Sequence, residues 1–288
     1  MLHKKLVAHA VIGSIKRKVR ETLGLKPRKQ TWPILGLQKT YEHQKELAEK
    51  FPRIAPVSWN AQGKYVCEVG CWDCLSMTAL LLKQGATHVD LIEPTPPVVN
   101  SMQADILRRI AAEGVPIDSE IIVGNGKTEL DPRKITYYTC MLEDAVNSEK
   151  YDYLFSYHVL EHVERLVDFY GACFRLLKPG GEFFHCIDFS GHGLHEDPVP
   201  PLDFQTYPDW LYELMYPRNY RATRFFPSEH IRAMKHVGLD VIDYRTTRAA
   251  EPGYLRALRP KLRPAAQSLP DDELGVLEAV IACRRPAR

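Results

Sequence analysis

The strongest constraint on the fold is the regular alternation of short apolar runs with segments of helical periodicity. The runs KYVCEV, HVDLIE, ITYYTCM, YDYLFSY and EFFHCIDF are typical of strands, and helix-like segments separate them. Near the C-terminus the pattern resumes with PSEHIRAMKHVG as a helix, then LDVIDYRTT and EAVIACRR as strands. Strands joined by helices of about ten to fifteen residues need crossover connections. The alternation therefore predicts an α/β fold with a largely parallel sheet and helices on both faces.

Glycines and prolines mark the predicted helix boundaries. Residues 38–50 form a polar helix that FPRIAP stops, and Gly85 ends the helix SMTALLLKQG. The prolines of PPVVNS start the next helix and Gly114 ends it. The turn KPGG closes the helix before EFFHCIDF, and SEIIVG is one more strand candidate.

Composition bounds the class of protein. The chain has 288 residues, of which 45% are apolar and 26% charged, and it has no apolar stretch near the roughly 20 residues that span a bilayer. Seven cysteines, an odd number, favour reduced thiols in the cytoplasm over a disulfide framework. Cys71 and Cys74 form a C-x-x-C, but no second ligand pair follows, so no metal site is expected.

The N-terminal segment is strongly basic. Between Lys4 and Lys29 there are nine Lys or Arg and one acid, Glu21, a net charge of +8, and the total of +2 leaves −6 for the rest. Apolar residues recur there with a helical period. Residues 1–36 are thus predicted to be a basic amphipathic helix and linker before a main domain of 37–288. The helix suits an anionic membrane surface or a partner, and a solvated helix or a transit peptide is the alternative.

The first strand ends in a turn that suits a nucleotide. KYVCEV carries Glu68 and leads into Gly70, and HVDLIE ends in Glu93. Ligands of parallel sheets bind beyond the carboxyl ends of the strands, and a bare glycine backbone lets a nucleotide approach closely. A carboxylate at the end of the second strand can accept hydrogen bonds from both ribose hydroxyls. A surface Glu at a strand end is the alternative interpretation.

Residues 190–226 interrupt the alternation with a segment rich in proline, histidine and aromatic residues. An insertion this long is more often a lid or a binding segment than an idle loop. Aromatic faces and guanidinium groups suit a sugar, a glycan or a phenolic acceptor, although aromatic residues at helical spacing are more often packed in a core. The residues concerned are Tyr207, Trp210, Tyr212, Tyr216, Arg218, Tyr220, Arg221 and Arg224.

Two stretches of the chain resemble a known family. EVGCWDCLSMTALLLKQGATHVDLIEP, followed by YDYLFSYHVLEHVERLVDFYGACFRLLKPGGEFFHCIDF, is similar to the class I S-adenosylmethionine-dependent methyltransferases, in particular the methyltransferase type 11 group. The resemblance covers about residues 60–190, and the run from HVLEHV to LKPGG is its most specific part. It implies a Rossmann-like seven-stranded sheet of order 3-2-1-4-5-7-6 with strand 7 antiparallel.

The resemblance also implies a role for the first turn. Glu68 and Gly70 would lie under the methionine part of the cofactor, and Glu93 would hold the ribose. The chain departs from the family at Trp72, which replaces the second glycine of the motif, and at Cys74, which replaces the third. A Cβ in such a tight turn costs about 1 kcal/mol or more of strain. The ring of Trp72 is expected to turn outward and wall the pocket or meet the substrate.

Two later strand ends complete the implied site. Met141, Leu142 and Glu143, after the third strand, fall where the family places backbone and an acid beside the adenine. Tyr157 and His158 end the fourth strand, where the sulfonium and the methyl group would sit.

Histidines at the carboxyl edge of the sheet are the candidate general bases. His192, oriented by Asp188, is the preferred base, and His158 and His162 are the other candidates. For each single histidine a structural role is the alternative. Glu161 is interpreted as an acid that opens a helix.

These features predict an S-adenosylmethionine-dependent enzyme that methylates an oxygen of a saccharide, a glycolipid or another small hydroxylated acceptor. A methyltransferase-like binding or scaffold protein without turnover, with Trp72 as its signature, is the alternative. A nucleic-acid substrate is disfavoured, because the chain beyond the basic segment is net acidic. The expected location is the cytoplasm, with peripheral membrane contact through residues 1–29.

Overall fold

A computed structural model describes residues 36–56, 58–124, 128–191, 200–215 and 222–287. The helices are α1 (Leu37–Ile54), α2 (Ser76–Lys83), α3 (Ser101–Ala112), α4 (Leu166–Leu176), α5 (Asp209–Met215), α6 (Pro227–His236), α7 (Pro252–Leu258), α8 (Pro264–Gln267) and α9 (Asp271–Leu274). The strands are β1 (Tyr65–Val69), β2 (His88–Ile92), β3 (Ile122–Val123), β4 (Glu129–Leu130), β5 (Ile135–Tyr138), β6 (Tyr151–Tyr157), β7 (Leu177–Asp188), β8 (Asp240–Ala249) and β9 (Val276–Arg284).

Seven of the strands form one sheet in the order β5-β2-β1-β6-β7-β9-β8. All neighbours in this sheet pair in parallel except β9, which is antiparallel to both β7 and β8. Counting only these seven strands along the chain gives the order 3-2-1-4-5-7-6. The predicted α/β fold, its strand order and its antiparallel last strand are confirmed.

Each face of the sheet carries its own apolar core, because alternate strand residues point to opposite faces. On one face Phe155 and Phe184 pack against Phe51 of α1, with ring centres 5.2 and 5.6 Å apart. On the other face Phe183 packs against Tyr170 of α4. Burial on both faces explains why the strands read as continuous apolar runs.

Two predicted boundaries were wrong, and one predicted strand lies apart from the main sheet. Helix α1 continues through Pro52 to Ile54, because Phe51 and Ile54 are buried and their packing offsets the backbone hydrogen bond that proline cannot make. Helix α3 begins only after Asn100, whose side chain accepts a hydrogen bond from the Gln103 amide at 2.9 Å and caps the helix. The SEIIVG strand lies outside the main sheet, in the β3–β4 hairpin.

The KPGG turn also differs from its prediction. Helix α4 ends at Leu176, and KPGG lies inside β7, where the register against β6 shifts. Gly180 has a φ of 79°. A Cβ on Gly181 would lie 3.0 Å from the Tyr151 carbonyl oxygen. Glycine is needed here because two backbones approach closely, not because a helix must end.

The insertion packs against the connection between β8 and β9. Tyr207 and Tyr212 are buried in a third apolar cluster with Leu255 and Leu274 of α7 and α9, which the sequence patterns did not reveal. Packing, the alternative interpretation of these two tyrosines, is what the structure shows. Trp210 is 67% exposed. Residues 192–199 and 216–221 lie outside the described part of the chain, so the predicted lid stays a prediction.

No helix within the described ranges is both long and apolar enough to cross a bilayer. All seven cysteines carry free thiols, as predicted.

Candidate functional site

The turn after β1 is shaped by two residues with left-handed backbone. Gly70 has a φ of 75°, and a Cβ placed on it would lie 2.4 Å from Cγ2 of Val159. Only glycine fits this position. Trp72 follows with a φ of 46°, and 49% of the residue is exposed. Its indole therefore lies largely in solvent and is not buried under the turn.

Glu93 ends β2 beside this turn. One carboxylate oxygen accepts hydrogen bonds from the backbone and hydroxyl of Thr95 at 3.0 and 2.7 Å, which fixes the carboxylate. The other oxygen, Oε2, accepts only a long bond of 3.4 Å from the Trp72 amide. A carboxylate oxygen accepts two good hydrogen bonds, so Oε2 retains accepting capacity at the turn. The sequence-predicted pairing of turn and acid is present.

Glu68 lies beneath the turn and is fully buried. Burial raises the pKa of Glu68 to about 8, although a hydrogen bond from the Thr78 hydroxyl to Oε2 opposes the rise. Its other oxygen, Oε1, has no hydrogen-bond partner among the described residues. A buried polar atom in this state normally belongs to an unfilled polar site.

These observations fit the predicted cofactor. The Gly70 backbone is bare, the Glu93 carboxylate has an accepting position for a ribose hydroxyl, and about half of Trp72 is exposed to solvent. The orphaned oxygen of Glu68 adds a polar atom below the turn. The departure from glycine at Trp72 is thus compatible with binding.

The residues predicted beside the adenine follow β5, the neighbour of β2. Met141 is 50% exposed and Leu142 is buried. The Glu143 backbone accepts a hydrogen bond from Arg175 of α4 at 3.2 Å, and its Oε2 is buried without a hydrogen-bond partner among the described residues. Of the three, Met141 is exposed at the carboxyl edge of the sheet. Their contact with a cofactor stays a prediction.

A polar cluster lies at the carboxyl end of β6. The rings of Tyr157 and His158 are stacked with centres 4.0 Å apart. His158 has a φ of 52°, and its amide donates to the Cys186 carbonyl at 2.8 Å, which holds it in this left-handed conformation. Nε2 of His158 lies 2.9 Å from Oε2 of Glu278 on β9. Because a carboxylate only accepts, Nε2 is the donor in this bond, and the lone pair of the neutral ring is then on Nδ1.

Sequence reasoning missed three members of this cluster. Lys50 of α1 donates to both oxygens of Glu278 at 3.0 and 3.1 Å, and the Thr247 hydroxyl donates to Oε1 at 2.6 Å. Lys50 also donates to the Tyr157 hydroxyl at 2.9 Å. One signal was available for Glu278. The last strand was predicted to be antiparallel, so it starts at the carboxyl edge of the parallel strands. An acid near its start is therefore expected at that edge.

The other candidate base residues are placed separately. His162 is exposed at the end of a short 3-10 helix, and His192 lies outside the described residues. Asp188 accepts from the Ser190 amide at 2.8 Å and from Arg248 at 3.0 Å. Glu161 does not open an α-helix: it lies buried in the same 3-10 turn as His162, and burial raises its pKa well above the usual value.

One group in the described part of the chain has donors spaced for a metal ion. His158, Cys186 and Glu278 each place one ligand atom within 4.8 Å of the others. The ammonium of Lys50 already occupies both oxygens of Glu278, and burial raises the pKa of the Cys186 thiol. A second positive charge would be repelled there, so the cluster is better suited to proton chemistry.

Comparisons with known proteins point to a methyltransferase. A family model described as a methyltransferase domain matches residues 40–244. The chain is 28% identical over 181 residues to the mitochondrial ubiquinone biosynthesis O-methyltransferase of Rattus norvegicus, covering 56% of this chain and 51% of that protein. It is 31% identical over 122 residues to the same enzyme of Bos taurus, covering 36% and 32%. The chain thus spans about half the length, or less, of the curated relatives it matches.

Solved structures are also similar. An S-adenosylmethionine-dependent methyltransferase from Mesorhizobium loti is 15% identical, with a TM-score of 0.49 over 84% of this chain and 100% of the other. Phosphoethanolamine N-methyltransferase 2 of Haemonchus contortus is 16% identical, with a TM-score of 0.47 over 85% and 52%.

Proposed function

The chain belongs to the methyltransferase domain family, whose members use S-adenosylmethionine, and we propose that it methylates an oxygen of a small hydroxylated acceptor. The single observation that carries the proposal is the hydrogen bond between His158 and Glu278. A carboxylate that holds an imidazole through one nitrogen and leaves the other to act as the base is a general arrangement for taking a proton from a hydroxyl.

The residues at the first turn would hold the cofactor. Gly70 gives its backbone room, Glu93 accepts from the ribose hydroxyls, and Glu68 and Trp72 border the same turn. S-adenosylmethionine supplies a methyl group on a positively charged sulfur. Such a transfer needs alignment of the acceptor oxygen with the methyl group, and a base helps when the acceptor is a hydroxyl.

His158 would be that base. Nδ1 would take the acceptor proton as the oxygen attacks, while Glu278 would hold the tautomer and the orientation of the ring through Nε2. Tyr157, whose pKa burial raises to about 12, keeps its proton at neutral pH and remains a hydrogen-bond donor beside the ring. His158 is thus favoured among the three histidine candidates, while His192 and His162 stay predictions.

The class of acceptor rests on weaker support. The curated relatives are named O-methyltransferases, which favours an oxygen acceptor. The exposed Trp210 in the insertion and the exposed Trp72 at the turn offer aromatic faces for a sugar or a phenol. A saccharide, a glycolipid and a phenolic acceptor are therefore the first compounds to test.

The test has two stages. Calorimetric titration with S-adenosylmethionine and S-adenosylhomocysteine should show binding of both. Incubation with saccharide, glycolipid and phenolic panels should then give an O-methylated product by mass spectrometry. His158→Gln should lose turnover and keep cofactor affinity, and His236→Gln, at the exposed end of α6, should keep both. Equal turnover in His158→Gln and wild type would refute His158 as the base.

A binding protein without turnover is the second candidate, and the left-handed backbone of Trp72 favours it. It predicts cofactor binding without product from any acceptor panel. Cytoplasmic location with membrane contact through residues 1–29 is part of the proposal, and those residues lie outside the described part of the chain.

A further inference from the structure

We infer that Lys50, on a helix outside the sheet, is a positioning residue that holds Glu278 as the partner of His158 and keeps the His158 ring neutral. The consequence for the reaction rests on the proposed function. The contacts that carry the inference do not depend on any acceptor.

The Lys50 ammonium contacts two partners of the cluster, Glu278 and Tyr157, at the same time. Its Nζ lies 3.0 and 3.1 Å from the two oxygens of Glu278 and 2.9 Å from the Tyr157 hydroxyl oxygen. The same Nζ lies 5.2 Å from the centre of the Tyr157 ring. The Glu278 side chain is 8% exposed and that of Lys50 is 30% exposed, so water screens this pair only partly.

The charges of this pair persist at neutral pH. Burial by itself would raise the pKa of Glu278, but hydrogen bonds from His158, Thr247 and Lys50 outweigh it and hold that pKa well below its usual range. Burial likewise opposes the charge of Lys50, but its bonds to Tyr157 and Glu278 raise the pKa of the ammonium. Glu278 therefore remains a carboxylate and Lys50 remains a cation.

This pairing decides what Glu278 does to His158. A lone carboxylate at 2.9 Å would favour the charged imidazolium, which has no lone pair with which to accept a proton. The positive charge of Lys50, which contacts the same carboxylate, opposes this preference for the imidazolium. Glu278 then orients the ring through Nε2 without charging it, and Nδ1 stays able to accept.

The rest of the fold holds Lys50 in place. Arg245 of β8 donates to the carbonyl oxygens of Ile54 and Ala55 at 2.7 and 3.3 Å, which caps the end of α1 one turn beyond Lys50. The same strand carries Thr247, the hydroxyl donor to Glu278. One strand thus fixes both the helix that carries the ammonium and the carboxylate that receives it.

Other ionisable groups surround His158 and belong in any account of its protonation. They come from α1, from β6 and the turn that follows it, and from β7, β8 and β9. The residues are His43, Lys50, Tyr157, Glu161, Cys186, Asp188, Arg248 and Glu278. Lys50 is the cation that directly contacts the partner of His158, so its removal should have the largest effect.

The test follows the His158 ring by NMR during a pH titration of the folded protein without acceptor. In Lys50→Met the ring should take up its proton at a pH higher by about one unit or more than in wild type. Lys50→Arg should restore the wild-type midpoint. Lys45→Met is the matched control, because Lys45 lies on the same helix but pairs with Glu113, and it should leave the midpoint unchanged.

A double variant guards against misfolding of the single one. Lys50→Met leaves Glu278 partly buried without its cation, whereas Lys50→Met with Glu278→Gln removes both charges and should bring the midpoint back toward wild type. If the titration midpoint of His158 in Lys50→Met stays at the wild-type value, as expected for Lys45→Met, the inference is overturned. It is also overturned if Lys50→Arg does not restore the wild-type midpoint.

The rate measurement separates this inference from the proposed function. With a methylated acceptor in hand, Lys50→Met should move the acidic limb of the kcat/KM profile upward in pH, with cofactor affinity unchanged. If no acceptor is ever methylated but the NMR shift is present, the proposed function fails and the role of Lys50 stands.

Discussion

The two halves of the carboxyl edge of the sheet are built in different ways. The predicted cofactor half, at β1 and β2, consists of a turn and an acid that lie close together in the sequence. Its shape is set mainly by backbone conformation, namely the left-handed Gly70 and Trp72. The base half, at β6 and β9, joins side chains from distant segments, with Lys50 and Glu278 228 residues apart. The comparison teaches that the turn and its acid are encoded locally, whereas the cluster of His158, Glu278 and Lys50 exists only in the completed fold.

The largest expected effect separates the two halves directly. Glu278→Ala removes the acceptor that Nε2 of His158 contacts, so the ring loses its orientation. We expect kcat to fall by about 100-fold or more, and the affinity for S-adenosylhomocysteine to stay within about twofold. Steady-state kinetics and calorimetry measure the two quantities. A parallel loss of cofactor affinity would show that the halves are not independent.

The second prediction concerns the buried carboxyl of the cofactor half. The pKa of Glu68 is about 8 in the fold, above its ordinary value of 4.5, so the carboxyl is protonated when folded and ionised when unfolded between these values. Wild-type stability should therefore fall by on the order of a few kcal/mol as the pH rises from 4.5 to 8, relative to Glu68→Gln. Urea unfolding of both proteins across this range checks it, and parallel curves would contradict it.

The third prediction tests whether Glu93 serves the donor alone. Glu93→Ala should weaken S-adenosylmethionine binding by about tenfold or more, or about 1.4 kcal/mol, because charged hydrogen bonds to the ribose are lost. The pH profile of turnover at saturating donor should be unchanged. Glu129→Ala, on the separate β3–β4 hairpin, is a matched control and should leave binding intact. Unaltered affinity in Glu93→Ala would remove the ribose assignment.

The smallest expected effect concerns the turn itself. Trp72 has left-handed backbone, so Trp72→Gly should raise the free energy of unfolding by about 1 kcal/mol through relief of strain. Thermal unfolding measures it, with Trp210→Gly as the control for loss of an exposed indole. If Trp72→Gly also keeps its cofactor affinity, the ring is dispensable for the cofactor half. A loss of stability would mean that the ring makes contacts that outweigh the strain.

The same contrast explains which parts could be predicted from the sequence. The α/β class and the Gly70–Glu93 pairing follow from alternation and from motifs that lie close together in the chain, so both were predictable, whereas the strand order was implied by the family resemblance. Lys50 was not, because on a polar helix it looks like any solvent-exposed lysine, and only the docking of α1 on the sheet gives it a partner. The position of β3 in the hairpin was not predictable either, because a strand of only two apolar residues can pair in either sheet.

Burial decided the cases in which a correct pattern led to a wrong detail. Pro52 was expected to stop a helix, but the core contacts of Phe51 carried the helix past it. The tyrosines of the insertion were interpreted as suited to recognition, although aromatic residues at helical spacing are more often packed in a core. Only the presence of α7 and α9, whose weak periodicity gave no signal, settled Tyr207 and Tyr212 as core residues.

The antiparallel last strand has a consequence for the order of events during translation. The turn at Gly70 leaves the ribosome long before Glu278, so a nascent chain carries that turn while His158 still lacks its carboxylate. Under the proposed function, the base is complete only once β9 lies between β7 and β8, where Glu278 meets His158.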